Sequence, residues 1–469
     1  MNAQCHLVLA VLGPTHNIRF ELCFGMIPAE ASVLLNLYTQ IAPGELFRLL
    51  QRNLGINVHD RVYTPRVVMW MMMVQRLDPR GTLSSTVEQL VQGKMDPLLS
   101  RCKRVKEKNI GLATGGYCQA RQNLSKILIE RSMEELTQRL RNHLNERMAL
   151  VDRAVYVVDG SSVQLEDAKL GNAYPPAKNQ HGVSHWPVAR IVVVHDAETG
   201  LAQRPCWGPM FGPEAVSEQF LAEQAMDALP PGAVILGDRN FGIFSIAYHA
   251  LQRGQAVVLR LTEKRARHLL GGVPSLQGDY ALQWQPSKFE RAKRPHLPAE
   301  AAISGRLVAW RVGRGKHQKW LYLFTTLTIA AEAVVALYGQ RWNVETDLRG
   351  LKQTIRLHRI CVQSVDMLEK ELLIAVMAYN LVRGIMSLAA RKAGIHPHQL
   401  SFTWAYNIVR DGYPSVLAAP SHEQQMQELE RIVNLVARCK LPNRTKPRSY
   451  PREVWRPGYR YPIRRARKN

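Results

Sequence analysis

Acidic residues placed next to apolar segments are the first candidates for chemistry in this sequence. Asp159 follows AVYVV and Asp238 follows AVILG, and short apolar runs of this kind are typical of buried strands. A carboxylate that ends a buried strand is costly unless a metal ion or a basic partner compensates its charge. Together with Glu345, these two acids could hold a pair of divalent ions about 4 Å apart, which activate a water or hydroxyl and stabilise a leaving oxygen.

The segment around Glu345 adds basic and phenolic groups. Four side chains follow one another at spacings of 3, 4 and 7: Tyr338, Arg341, Glu345 and Lys352. The surrounding AEAVVALYGQRWNVETDLRGLK has no Pro and predicts one helix, which keeps the four within roughly 60° around its axis. Arg349 and Arg356 would join that face if the helix continues. The carboxylate could hold a cation while the other groups bind phosphate oxygens; a solvated face with ion pairs four residues apart is the alternative.

The composition indicates a polyanionic partner. The 469 residues include 62 Lys and Arg against 38 Asp and Glu, a net charge of +24, and nucleic acid is the default partner for such an excess. A membrane surface is the less favoured partner, because the sequence has no amphipathic basic helix with an aromatic face. No run of about 18 apolar residues exists, so no membrane span is expected. The start has no basic residue before its apolar run, and the seven cysteines are scattered, which favours a cytoplasmic protein with reduced thiols.

The elements that must position the acids alternate between strand and helix. From Ala154 to Thr262 the patterns predict the order β-β-β-α-β-α-β, with a turn at 198–200 and the strands that end at Asp159 and Asp238 as neighbours. This order is that of a ribonuclease H-like core. The predicted fold class is therefore α/β, a mixed-sheet core with a β-rich insertion and with helical N-terminal and helical, basic C-terminal regions.

The domain boundaries follow from changes in pattern. Residues 1–30 are an uninterpreted extension, and 31–150 form a helical, basic unit that either binds DNA or simply caps the core. Residues 151–262 and 329–395 form the core, and 263–328 an insertion packed as a small sheet. Residues 396–469 are a helical region followed by a basic, Pro-containing tail, which either orders on DNA or is a disordered solubilising segment.

Three motifs carry a family resemblance. The pattern Y-x2-R-x3-E-x6-K is matched in full from Tyr338 to Lys352. D-G-[ST] is matched at Asp159, Gly160 and Ser161, and D-R-x-F at Asp238, Arg239 and Phe241. In these motifs the chain resembles bacterial insertion-sequence transposases of the DDE type, in the insertion-sequence-four group. One residue departs from the family pattern: Asn240 stands where Gly is usual, and Asn tolerates a left-handed turn better than most residues.

The resemblance implies cut-and-paste DNA transposition by a homodimer on paired element ends, in the bacterial cytoplasm at the nucleoid. Asp159, Asp238 and Glu345 would bind two Mg²⁺ or Mn²⁺ ions for 3′-end hydrolysis, hairpin formation and opening, and strand transfer to target DNA. The expected phosphate-binding residues are Tyr338, Arg341, Lys352, Arg239, Arg349 and Arg356. Trp320 is the expected stacking partner of a flipped base; Trp310 is its rival, and a core tryptophan the third possibility. A catalytically inactive DNA-binding relic or regulator, or a structure-specific nuclease, are the alternative functions.

Overall fold

A mixed β-sheet with helices on both faces forms the centre of the computed structural model. The structure describes residues 61–144, 151–180, 182–274, 276–295, 297–313 and 318–442, with 52–53 and 55. The extension at 1–30 and the basic tail after residue 442 lie outside the described residues. Within the predicted helical unit at 31–150, residues 31–51, 54, 56–60 and 145–150 lie outside them too.

Ten strands of the described chain belong to the sheet. They are β1 Val155–Leu165, β2 Pro176–Asn179, β3 Gly182–Asp196, β4 Cys206–Pro209, β5 Val234–Gly237, β6 Ala256–Arg260, β7 Gly278–Trp284, β8 Ile303–Val312, β9 Lys319–Thr325 and β10 Arg359–Ile360. The helices are α1 Pro65–Leu77, α2 Leu83–Val91, α3 Lys103–Lys106, α4 Gly115–Asn123, α5 Lys126–Leu144, α6 Glu218–Asp227, α7 Phe244–Gln252, α8 Glu263–Leu270, α9 Lys288–Lys293, α10 Ala331–Gly339, α11 Arg341–Arg349, α12 Val365–Lys392, α13 Phe402–Ala418 and α14 His422–Ala437.

The strand order confirms the predicted fold class. β3 runs antiparallel to both β4 and β1, β1 runs parallel to β5, and β5 runs parallel to β6. The resulting order β4-β3-β1-β5-β6 is that of a ribonuclease H-like core. Along β1, Tyr156 and Val158 face α6 and α7, whereas Val155 and Val157 face α10, as the two-residue period of a strand requires.

The insertion is joined to this sheet. β7, β8 and β9 pair antiparallel in sequence, and β9 also pairs with β6, with Val258 opposite Thr325. The expectation of a separate small sheet is therefore wrong. β6 would otherwise present unpaired N–H and C=O groups at an open edge, and β9 satisfies them.

Helix α12 is the centre of the helical part. By length and composition this strongly apolar helix could cross a membrane, contrary to the expectation that no such segment exists. Its most apolar stretch is, however, wholly buried inside the fold. α1, α5, α13 and α14 surround it, and one continuous apolar core contains residues of all five helices. Helices α1, α4 and α5 of the N-terminal part thus pack against the same helix as α13 and α14.

Buried polar groups tie α12 to the rest of the chain. Glu371 accepts hydrogen bonds from Arg76 of α1 and Arg121 of α4, and all three side chains are largely buried. Arg383 pairs with Asp347 of α11, and both are almost fully buried. These pairs set how α1, α4 and α11 lie against α12, because an unpaired charge at these positions would be strongly unfavourable.

Candidate active site

The pairing of β1 with β5 places the first two acids side by side. The parallel register runs from Val155 opposite Val234 to Val158 opposite Gly237, so Asp159 and Asp238 come next on neighbouring strands about 4.8 Å apart. β5 ends at Gly237, but β1 continues to Leu165. The prediction that the strand ends at Asp159 is therefore wrong: Asp159 lies within β1, at the point where β5 leaves it.

The helix predicted for residues 331–352 is interrupted twice. α10 ends at Gly339, α11 begins at Arg341, and residues 350–354 form a π-helical turn that contains Lys352. Tyr338 and Arg341 are only 3% and 6% exposed, which excludes a solvated face at these positions. Arg341 donates to Glu345 across 3.1 Å, and its guanidinium also acts electrostatically on Asp159.

The π-helical turn places Lys352 next to the D-G-S motif. Lys352 Nζ donates a hydrogen bond of 2.6 Å to Ser161 Oγ. Ser161 lies two residues after Asp159 in β1, so both side chains point to the same face of the sheet. The end of the Y-x2-R-x3-E-x6-K pattern and the D-G-S pattern therefore meet on that face.

The three remaining arginines are placed differently from one another. Arg239 and Arg349 are exposed. Arg356 has a left-handed backbone (φ 59°), and its guanidinium donates to the carbonyl oxygens of Gln75, Asp78 and Pro79 near the end of α1. The expectation that Arg356 continues the face of Glu345 is wrong, because the helix ends before it, and its donors serve the fold.

Trp320 is half-buried in β9. The Arg311 guanidinium lies 4.7 Å from the centroid of its ring, and the Tyr322 ring is roughly parallel to it at 6.0 Å. Trp310 of the neighbouring strand β8 is also half-buried and packs beside the apolar core under α10. Neither ring is among the fully buried tryptophans.

Burial and neighbouring carboxylates both disfavour the charged form of Asp159. The pKa of Asp159 is raised to about 6, mainly by burial and in addition by repulsion from Asp238 and Glu218, while Gly160 N–H and Arg341 act in the opposite direction. Burial also raises the pKa of Glu218, and it raises that of Tyr338 to about 12. A bound cation would relieve this repulsion.

Glu218 is the acidic residue of this site that sequence reasoning missed. It occupies the first turn of α6, behind the N-capping Ser217, and its carboxylate lies against Gly160 and accepts a hydrogen bond from Asn240. The available signal was an acid at the start of an amphipathic helix, which by itself indicates only a favourable interaction with the helix dipole. Asn240 has no positive φ, so the left-handed turn assumed for it is absent.

The residue types at this site suit a divalent metal ion, but the three carboxylates do not converge on one point. Within the described residues, no three His, Cys, Asp or Glu side chains form a group that could hold an ion. Glu345 is paired with Arg341 instead of meeting Asp159 and Asp238. Carboxylate oxygens are the ligands Mg²⁺ prefers, and the negative charges of Asp238 and Glu218 act on the buried Asp159, so the residue types present suit such an ion.

Comparisons with known proteins agree with the motifs. Residues 151–381 match the family described as "Transposase DDE domain". The transposase InsG of insertion sequence element IS4 from Escherichia coli (strain K12) is 25% identical over 362 residues, which cover 75% of this chain and 78% of InsG. A structure of the piggyBac transposase synaptic complex with hairpin DNA overlaps 89% of this chain and 87% of its own, with a TM-score of 0.39 and 11% identity, too loose a likeness to bear on the assignment. The family match over residues 151–381 and the similarity to InsG, together with the motifs and the sheet described above, support a DDE transposase of the IS4 type.

Proposed function

We propose that this protein is a DDE transposase that performs cut-and-paste transposition, with Asp159, Asp238 and Glu345 as ligands for two Mg²⁺ or Mn²⁺ ions. When bound, the ions would activate the attacking hydroxyl and stabilise the leaving oxygen. The observation that carries the proposal is the β1–β5 register, which brings Asp159 and Asp238 together at one edge with the Glu345 helix packed over that face.

Glu345 completes the site by changing its partner. Its carboxylate is held by Arg341, one helical turn earlier, and the same guanidinium acts on Asp159. As an element end enters, Arg341 can transfer its hydrogen bonds to phosphate oxygens, since guanidinium groups bind phosphate and carboxylate in the same geometry. Glu345 is then free to turn toward the two aspartates.

The remaining residues would hold DNA. Arg239 and Arg349 are exposed, and the chain carries an excess of 24 positive charges. Tyr338 has a buried hydroxyl near Arg341 and Asp238, and Lys352 is placed over Ser161. We infer contacts from these groups to the phosphates of the terminal inverted repeats and target DNA, made by a homodimer on paired ends.

The test is a cleavage assay on DNA that carries the inverted repeats flanking the gene. Wild-type protein with Mg²⁺ should nick the 3′ end, form and open a hairpin, and join the end to target DNA, and EDTA should stop all steps. Asp159→Asn and Asp238→Asn should bind the ends but not cleave. Asp411→Asn is the matched control, because this aspartate is exposed on α13.

Each contrary outcome has a distinct meaning. Equal cleavage by Asp159→Asn and wild type would refute the assignment of the acids. Cleavage of branched DNA without joining would indicate a structure-specific nuclease. End binding without any metal-dependent nicking by wild type would indicate a regulator that has lost the chemistry.

A further inference from the structure

Gly160 leaves room for the carboxylate of Glu218. A Cβ atom built on Gly160 would lie 1.7 Å from Glu218 Oε1, so a side chain here and the present position of Glu218 exclude each other. Gly160 is the neighbour of Asp159 in β1 and therefore faces the opposite side of the sheet, which α6 covers. Glu218 therefore approaches the strand from the face opposite to Glu345.

Glu218 also holds the turn that follows Asp238. Asn240 Nδ2 donates to Glu218 Oε2 across 2.7 Å, and Gln219 Nε2 donates to Asn240 Oδ1 across 2.7 Å and to its carbonyl oxygen across 3.1 Å. Asn240 N–H in turn donates to Asp238 Oδ1 at 2.8 Å. A continuous chain of contacts thus runs from β1 through Glu218 and Asn240 to the carboxylate of Asp238.

The strand pairings of β5 end at Gly237 and do not include Asp238. The ladder between β1 and β5 ends at the pair Val158 and Gly237, so no further strand pairing fixes the position of Asp238 relative to Asp159. We propose that Glu218 is a positioning residue that, through Asn240, holds Asp238 beside Asp159. It acts on the turn and not on the reacting phosphate. The inference rests on the proposed function of the two aspartates and explains why Asn is accepted at position 240: its amide is the partner of Glu218 and Gln219.

The test compares Glu218→Ala, Glu218→Gln, Asn240→Gly and the double variant Glu218→Ala/Asn240→Gly. Loss of a residue that orients a ligand typically costs 10- to 100-fold, so Glu218→Ala should cleave about 10- to 100-fold more slowly and need more Mg²⁺ for half-maximal rate. Glu218→Gln should stay within about three-fold of wild type, because an amide oxygen still accepts from Asn240. The double variant should be no slower than Glu218→Ala alone, since both changes remove the same link.

Glu423→Ala is the matched control: Glu423 is an exposed acid in the first turn of α14, a helix that packs on α12 and α13. Hydrogen exchange of the peptide covering 237–243 provides a readout that does not depend on activity. Exchange should be faster in Glu218→Ala and Asn240→Gly, and unchanged in Glu423→Ala. Should Glu218→Ala fail to fold, Asn240→Gly carries the test, because it breaks the same hydrogen bond from the other side.

Two results would overturn the proposal. A Glu218→Ala variant with the cleavage rate and hydrogen exchange of the wild type would show that the contact between Glu218 and Asn240 does not position Asp238. Equal impairment of Glu218→Gln and Glu218→Ala, with fewer bound Mn²⁺ ions by electron paramagnetic resonance, would make Glu218 a metal ligand instead. If wild-type protein cleaves nothing, the proposed function fails, while the exchange experiment still decides whether the link exists.

Discussion

Lys352 donates a 2.6 Å hydrogen bond to Ser161, and this contact joins the two motifs that define the site. Ser161 is on the central strand, two residues after Asp159, whereas Lys352 belongs to the π-helical turn that follows the Glu345 helix. A π-helical turn carries one residue more per hydrogen-bonded ring than an α-helical one, so it changes the direction of the side chains that follow. Lys352 thereby reaches the strand although the regular helix ends at Arg349.

Lys352→Met should weaken binding to element ends and lower the salt dependence of that binding. Each phosphate neutralised by a lysine contributes about 0.9 to the slope of log affinity against log salt, so the slope should fall by about that amount. Fluorescence anisotropy at several salt concentrations measures it. Ser161→Ala is the control, since it removes the hydroxyl but leaves the cation. An unchanged slope in Lys352→Met would mean that the ammonium neutralises no phosphate of the element end.

Trp320→Ala should impair hairpin formation more than the first nick. Stacking of a base on an aromatic ring is worth about 1–3 kcal/mol, and a flipped base would lose that support. Quantifying nicked and hairpin products in one time course separates the two steps. Trp310→Ala is the comparison, because this ring is also half-buried on the adjacent strand. A selective hairpin defect in Trp310→Ala, but not in Trp320→Ala, would transfer the role to Trp310.

Glu371→Gln should lower the free energy of unfolding by about 3–5 kcal/mol, the usual cost of removing one partner of a buried ion pair. The substitution leaves Arg76 and Arg121 largely buried without the carboxylate that both bind. Denaturant unfolding measures the change. Glu369→Gln is the control, because Glu369 pairs with Lys126 at a more exposed position and should cost less than about 1 kcal/mol. Similar effects of both variants would contradict the special role of Glu371.

The same carboxylate predicts how stability depends on pH. Burial raises the pKa of Glu371, but its pairing with Arg76 and Arg121 outweighs this and leaves the pKa below its ordinary value. Because the pKa is lower in the folded state, the stabilisation is fully present above the unfolded pKa near 4.3 and is lost as the pH falls through the folded pKa. Unfolding of wild type and Glu371→Gln should therefore differ by a constant amount above about pH 5.5 and converge in more acidic solution. A difference that grows on acidification would reverse the sign.

Gly242→Ala should be far more damaging than Gly272→Ala. An added Cβ would lie 2.1 Å from the Arg260 carbonyl oxygen, a backbone atom that no side-chain rotation can move. Overpacking of this kind typically costs about 1–3 kcal/mol, and here it also displaces the turn after Asp238. Thermal melting and cleavage measure the two effects. Gly272→Ala, with nothing within 4 Å of its added Cβ, should behave as wild type. Wild-type behaviour of Gly242→Ala would show that the turn is looser than its contacts indicate.

Local pattern was sufficient for much of the architecture. Apolar runs and turn residues indicated the strands of the core and their order, and the spacing of acidic and basic residues matched the family before any contact was known. The strongly apolar sequence of residues 365–392 likewise fits the buried helix α12. Secondary structure and the buried face of each element follow mainly from the periodicity of apolar residues, which can be read from the sequence.

Contacts between distant segments were not accessible in this way. The break at Gln340, the π-helical turn at Lys352 and the binding of Arg356 to carbonyls near the end of α1 all depend on how the helix meets its neighbours. Glu218 was missed because its role arises only when the first turn of α6 packs against Gly160 and Asn240. The helix period gives the direction of a side chain relative to its own axis, whereas the partner it meets depends on the packing of the whole chain.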